Sequence, residues 1–330
     1  MGQTNSSSNQ VSSYEKLLYQ LQLLSMLARR RKNVSFEWLE TTYAEYNGYA
    51  RQFIGRDLRD CKVLEIGFGA RPFRFLSLAA RGIDIFGVDL DAPFLEASAA
   101  ELITIYRSNG LQRALKSLAR WLLIQQRENA ALVKLCSSIS KGRWNSFSEL
   151  QKTFRSRLMV ADASDDDFWR AAATKFDFVF SEDVFEHIPP PSLDRLLALM
   201  AANLSDHGII LTRPNVFTGI TGGHLIEWYA YRVSDQSSRR SEPWEHLRKN
   251  RFPADTYLNG LSLAAYRELF SKHFDIALER TMQADLGREH LTQSIREELN
   301  NYKDEELFSN NVLFVLKKKI AAERPLAQRR

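Results

Sequence analysis

Between residues 62 and 213, short apolar runs alternate with stretches of helical period, and no other feature constrains the fold as tightly. The runs at 62–67, 83–89, 157–161, 176–181 and 208–213 read as strands, and 72–81, 92–105, 165–174 and 192–203 read as the helices between them. A helix-length crossover returns the chain to the same end of a sheet, so these strands are expected to lie parallel. The expected class is therefore α/β, a doubly wound sheet with helices on both faces. Two later runs, FDIALERT (274–281) and NVLFVLKKK (311–319), bring the strand count to seven. Ligands of such sheets sit at the carboxyl ends of the strands, where strand order reverses.

The first strand runs into a glycine turn, KVLEIGFGARPFRF, over residues 62–75. A dinucleotide fingerprint wants G-x-G-x-x-G, its third glycine letting helix and strand approach while pyrophosphate rests on the helix N-terminus. Here Pro72 stands where that glycine belongs. Glu65, two residues before Gly67, would repel a phosphate but suits a ligand carrying an ammonium group and a sulfonium. S-adenosylmethionine has both.

The stretch Glu65-Ile66-Gly67-Phe68-Gly69 resembles the first motif of class I S-adenosylmethionine-dependent methyltransferases, with Arg71 in place of the usual third small residue. GVDLDAPFLEAS (87–98) resembles their second motif. FDFVFSEDVFEHIPP (176–190), GIILTRPN (208–215) and YLNGLSLAAYRELFSKHFDI (257–276) resemble the small-molecule type 11 subgroup. The resemblance spans about residues 60–280, apart from a basic insertion, and implies a Rossmann-like seven-stranded fold, S-adenosylmethionine as cofactor and methyl transfer as activity.

Each motif then has an expected task. Asp89, ending the second strand, is placed to accept hydrogen bonds from the ribose hydroxyls, a role that marks a nucleoside without saying which. Leu90 would press on the adenine face. Asp162 would accept from the adenine amino group and Ala163 would offer its backbone N–H, with a helix N-cap in DASDDD as the alternative for Asp162. Backbone at Gly67 and Ser181 should line the methionine portion, and Phe68 belongs to the same turn. Methyl transfer is an in-line displacement at an activated carbon, so the protein must align the reactants and dispose of a proton, and no metal is required. The candidate proton acceptors are His187, placed near the methyl group by the resemblance, and His224 or Glu227 in TGGHLIEWY, where glycines would let the loop approach a ligand. Each has a structural alternative as a brace of its loop.

Composition locates the acceptor side. The formal net charge is +5, yet residues 105–157 hold eleven Lys or Arg against Glu128 and Glu149, so this helical insertion is about +9. It would receive a phosphate, a glycan carboxylate or an anionic membrane surface, unless it is a solvated face. A second insertion, 214–260, would complete the acceptor side, and the leading reading is O-methylation of a small molecule or glycan. Trp121, Trp144 and Phe147 between the charges keep RNA methylation as an alternative, although helical period favours a core role for them. A non-catalytic cofactor-binding module is the third reading.

Residues 13–59 read as N-terminal helices, with Leu17, Leu18, Leu21, Leu24 and Leu27 near helical spacing, after a polar tail over 1–12. Gly2 with Ser6 matches the short myristoylation pattern, against a plain disordered tail. Residues 60–330 read as one domain carrying both insertions. Cys61 and Cys136, the two cysteines, form neither a disulfide framework nor a CxxC pair. With no secretory signal and no apolar run of membrane length, a reducing, cytoplasmic setting is expected.

Overall fold

The computed structural model describes residues 11–30, 34–235, 239–253 and 256–319, and the side chains of Leu27 and Arg30 are not described. The Gly2/Ser6 pattern lies outside the described residues. In chain order the first elements are α1 (Ser13–Arg30), α2 (Glu37–Tyr49), β1 (Lys62–Ile66), α3 (Phe73–Ala80), β2 (Asp84–Asp89) and α4 (Ala99–Arg120). Next come α5 (Gln126–Ile139), α6 (Phe147–Phe154), β3 (Leu158–Val160), α7 (Asp166–Ala172), β4 (Phe176–Glu182), α8 (Pro190–Asn203) and β5 (Leu204–Arg213). The chain closes with α9 (Glu245–Arg248), α10 (Leu263–His273), β6 (Phe274–Thr281), α11 (Gln293–Glu298), α12 (Asp304–Leu307) and β7 (Val312–Lys318).

The strands form a seven-stranded sheet in the order β3-β2-β1-β4-β5-β7-β6. Strands β1 to β5 pair in parallel, as the alternation requires, whereas β7 is antiparallel to both β5 and β6. Strand order reverses between β1 and β4, which puts the expected crevice beyond the ends of those two strands. Period-two alternation divides the core: Val63, Phe178, Phe180, Ile209 and Leu211 face one helical layer, while Leu64, Val179 and Ile210 face the other.

Helix α4 starts at Ala99, where the sequence pattern suggests a helix from residue 92. Ser98 caps the helix by accepting from the Glu101 amide at 3.2 Å, and the Glu101 carboxylate reaches back to the amides of Leu95 and Glu96. This reciprocal cap outcompetes the earlier start, and such caps contribute about 1 kcal/mol. The preceding residues pack as coil, with Phe94 and Leu95 buried. The boundary drawn at residue 105 therefore falls inside α4, whose continuous run is interrupted at Gly110.

The basic insertion is built into the molecule. Leu132, Cys136, Trp144 and Leu150 share one core with Val63, Phe75 and Phe178. Trp144 is a buried core residue with its indole N–H toward the Ala80 carbonyl, and Trp121 packs half-buried against Phe94 and Ile105. Residues 220–247 and 286–308 add a small lobe around Trp228, Trp244 and Phe308. Helix α1 lies on this side, with Tyr19, Leu23 and Met26 packing on Ile226 and Tyr229. Its Leu17 and Leu21 face outward, while Tyr19 takes the buried position.

Candidate active site

The glycine turn after β1 is held by contacts that only glycine permits. Gly67 has φ +86°, and a Cβ there would stand 2.2 Å from Val184 Cγ2, in the loop after β4. Its amide donates to the Val88 carbonyl, and the Gly69 amide donates to Asp89 Oδ2 over 2.6 Å. The other oxygen of Asp89 accepts from the Asp91 amide at 2.7 Å. Burial pushes Asp89 up to about 6, against the opposing pull of the Gly69 amide.

Glu65 lies 3% exposed beneath this turn. Its Oε1 is 3.6 Å from Arg74 Nη1, while Oε2 finds no hydrogen-bond partner among the described residues. Burial pushes Glu65 up to about 8, with Arg74 pulling the other way. Arg74 also donates to Glu182 Oε2, and the Tyr46 hydroxyl donates to Glu182 Oε1, both at 2.7 Å. Sequence reasoning passed over this network, whose parts are scattered over α2, α3 and the end of β4.

Phe68 turns its ring inward beneath Gly87, anchoring the turn. Leu90 is 61% exposed at the end of β2, as a face for a ring would be. Asp162 Oδ1 accepts from both the amide and the hydroxyl of Ser164 in the turn ahead of α7, whose N-cap residue is Asp165 and not Asp162. The Ala163 carbonyl is taken by the Trp169 indole. Ser181 is buried with its hydroxyl unpartnered among the described residues. Arg71, at the third small position, turns away and grips both carboxylate oxygens of Glu128 in α5, at 2.5 and 2.6 Å. The departure from the usual motif thereby docks the insertion onto the turn.

On the other side of the crevice, the 183–187 loop and residues 215–224 assemble a second cluster. Glu186, His187 and His224 each offer a ligand atom within 4.8 Å of the others. His224 Nε2 is 4.0 Å from Glu186 Oε1, and the two imidazole rings meet edge to face at 5.1 Å. Asn215 donates to Asp183 and to Glu186 Oε1 at 2.9 Å each. Burial pushes Glu186 up to about 8 and His224 down to about 3. His187 Nδ1 stands 2.9 Å from the Tyr257 carbonyl, which can only accept, so Nδ1 carries the proton. Glu186 adjoins His187, yet a glutamate beside a histidine carries no spacing signal in the sequence that would mark it as part of a site.

Glu227, a candidate proton acceptor in the sequence, is engaged within its own loop. Its Oε2 accepts from the amides of Arg240 and Ser241 and from the Ser241 hydroxyl, at 2.8 to 2.9 Å. That carboxylate shapes the loop beside α1. The glycines before His224 likewise serve internal packing: a Cβ on Gly222 would meet the Phe217 carbonyl and one on Gly223 the His246 ring. A cavity of about 510 Å³ runs between α1 and this loop, past Tyr19, Gln22, Leu225, Glu227 and Arg251.

Residues 35–273 match the family described as a methyltransferase domain. The chain belongs to that family. It is a class I S-adenosylmethionine-dependent methyltransferase with the Rossmann-like fold described above, and S-adenosylmethionine is its cofactor. No curated protein sequence matches this methyltransferase. Among solved structures it is similar to the PH0226 protein of Pyrococcus horikoshii OT3, at 14% identity and TM-score 0.43, over 88% of this chain and 95% of that one. It is also similar to an S-adenosylmethionine-dependent methyltransferase of Clostridium acetobutylicum ATCC 824, at 10% identity and TM-score 0.42, over 91% and 100%. The glycopeptide N-methyltransferase MtfA, complexed with S-adenosylhomocysteine, is similar at 14% identity and TM-score 0.38, over 84% and 90%. No described helix of the methyltransferase is long and apolar enough to cross a membrane.

Proposed function

We propose that this methyltransferase methylates an oxygen of a small-molecule or saccharide acceptor, and that the acceptor's proton is lost at the Glu186–His187–His224 cluster. The observation that carries this reading is the placement of that cluster in the loop after β4 and the segment beyond β5, across the strand-order reversal from Asp89. A buried carboxylate and two imidazoles are suited to a nucleophile that arrives protonated, such as a hydroxyl.

The crevice residues suit the cofactor. The unpartnered buried oxygens of Glu65 and Ser181 leave hydrogen-bonding capacity toward the crevice, and Glu65 favours positive charge there. In this reading Glu65, Gly67, Gly69 and Ser181 hold the methionine portion with Phe68 bracing the turn, Asp89 holds the ribose, and Leu90, Asp162 and Ala163 border the adenine. The cofactor supplies a methyl group activated by positively charged sulfur. The chain's own contribution is alignment through the Gly67–Val184 contact and removal of a proton on the acceptor side.

Burial of Trp144 and the packing of Trp121 and Phe147 against the core favour this reading over RNA methylation, which would use those rings for stacking. Several insertion charges are used internally, Arg155 pairing with Glu101 and Arg157 with Asp84. The remaining basic surface supports contact with an anionic group on the acceptor or with a membrane surface.

The test is incubation with methyl-labelled S-adenosylmethionine and a cell extract, followed by separation into low-mass, glycan, RNA and protein fractions. Label in a low-mass or glycan product, on oxygen by NMR, is the expected result. Label confined to RNA or protein would defeat the reading.

A further inference from the structure

We propose that Glu186, His187 and His224 form a binding site for one divalent transition-metal cation, which orders and activates the acceptor's oxygen. This deepens the preceding reading, because it gives the acceptor-side cluster its means of handling the proton. It departs from the expectation that no metal takes part.

The donor set is two imidazoles and one carboxylate, whose ligand atoms all lie within 4.8 Å of one another. Such a set suits Zn2+, Fe2+, Co2+ or Mn2+ better than Mg2+ or Ca2+, which prefer oxygen alone. Bonds of about 2.1 Å in tetrahedral geometry place neighbouring ligand atoms roughly 3.4 Å apart. The 4.0 Å between His224 Nε2 and Glu186 Oε1 needs only a small side-chain shift to reach that spacing.

Two buried atoms point independently to a missing partner. Glu186 Oε2 and His224 Nε2 are both closed off from solvent and find no hydrogen-bond partner among the described residues. The Glu186 side chain is only 4% exposed. Leaving such groups unmatched costs about 1–3 kcal/mol each, and a cation between them removes that cost.

The surroundings orient the ligands as metal sites require. The Tyr257 carbonyl takes the Nδ1 proton of His187, leaving the Nε2 lone pair for a metal. Asn215 fixes Glu186 Oε1 by donating to it, and Asn259 pins the same turn by donating to the Phe185 and Ile188 carbonyls. Three protein ligands leave one or more positions open for an acceptor oxygen. The bound O–H is acidified and gives its proton to water or buffer. The oxygen's electron pair then forms the bond to the methyl carbon as the carbon–sulfur pair stays with sulfur.

The site is tested with Co2+ as probe, on metal-stripped full-length protein without cofactor or acceptor. The expected result is one Co2+ per chain, with visible ligand-field absorption of low coordination number that Zn2+ abolishes. Glu186→Gln keeps shape and the Asn215 contact, and His224→Asn tolerates the local φ of +53°. Each is expected to weaken Co2+ binding at least a hundredfold while binding S-adenosylhomocysteine as tightly as wild type, which confirms the fold. Absence of the Co2+ spectrum in wild type, or its persistence in both variants, overturns the site. Because this readout involves no methyl transfer, such a failure leaves the acceptor reading standing, whereas label found only in RNA or protein would sink that reading with the metal site intact.

Discussion

The amide of Gly69 donates to Asp89 Oδ2 over 2.6 Å, so a single carboxylate both closes the turn after β1 and ends β2 at the crevice. The two motifs are one device: the residue assigned to the ribose also sets the shape of the turn assigned to the methionine portion.

Asp89→Asn should therefore weaken S-adenosylhomocysteine binding by about 1.5–3 kcal/mol, the range for hydrogen bonds to a charged group, or roughly ten- to a hundredfold. Calorimetry measures it. In wild type the affinity should rise as pH passes through about 6, since donors from a ribose favour the charged form of a carboxylate raised by burial. Affinity constant between pH 5 and 8 would remove Asp89 from the site.

Glu65 predicts a proton released on binding. With its carboxyl pushed up to about 8 it is mostly protonated at pH 7, and a positive ligand lowers it. Binding of S-adenosylmethionine at pH 7 should show an enthalpy that changes with the buffer's ionisation enthalpy, and an affinity that increases toward pH 8. An enthalpy identical in phosphate and Tris would place the positive charge elsewhere.

Gly67→Ala would force a Cβ against Val184 Cγ2 at φ +86°. Left-handed strain of about 1–2 kcal/mol adds to the overlap, so both stability and cofactor affinity should drop. Adding Val184→Ala should recover the overlap component and not the strain. A double-mutant cycle in urea reads this out, and strict additivity would deny the contact.

For Glu227→Ala the expected loss is in stability, about 1 kcal/mol from the lost bonds to Arg240 and Ser241, with the turnover number within a few-fold of wild type. A thousandfold fall in turnover at unchanged melting temperature would restore it to the chemistry.

Sequence carried the sheet well because period and turn chemistry are local. The strand expected over 274–281 matches β6 residue for residue, and the parallel pairing of β1 to β5 follows from the alternation. What it missed depends on distant partners. The start of α4 was decided by the Ser98–Glu101 cap against a pattern that looked helical from residue 92. The outward turn of Leu17 and Leu21 depends on the loop that Tyr19 meets, and the direction of β7 on its neighbours β5 and β6. At the site, Gly67, Gly69 and Asp89 were legible by spacing, whereas Glu186 gains meaning only when residues 215–224 fold over it. Arg71 looked like a defect of the motif until Glu128 supplied its partner.

The crevice bounded by Glu65 and Asp89 is expected to accept a positively charged sulfur nucleoside and to refuse pyrophosphate. Titration calorimetry of the full-length protein with S-adenosylmethionine and, separately, with NAD tests it most directly. One molar equivalent of S-adenosylmethionine should bind with no detectable heat from NAD; saturable binding of NAD, or silence with S-adenosylmethionine, would contradict it.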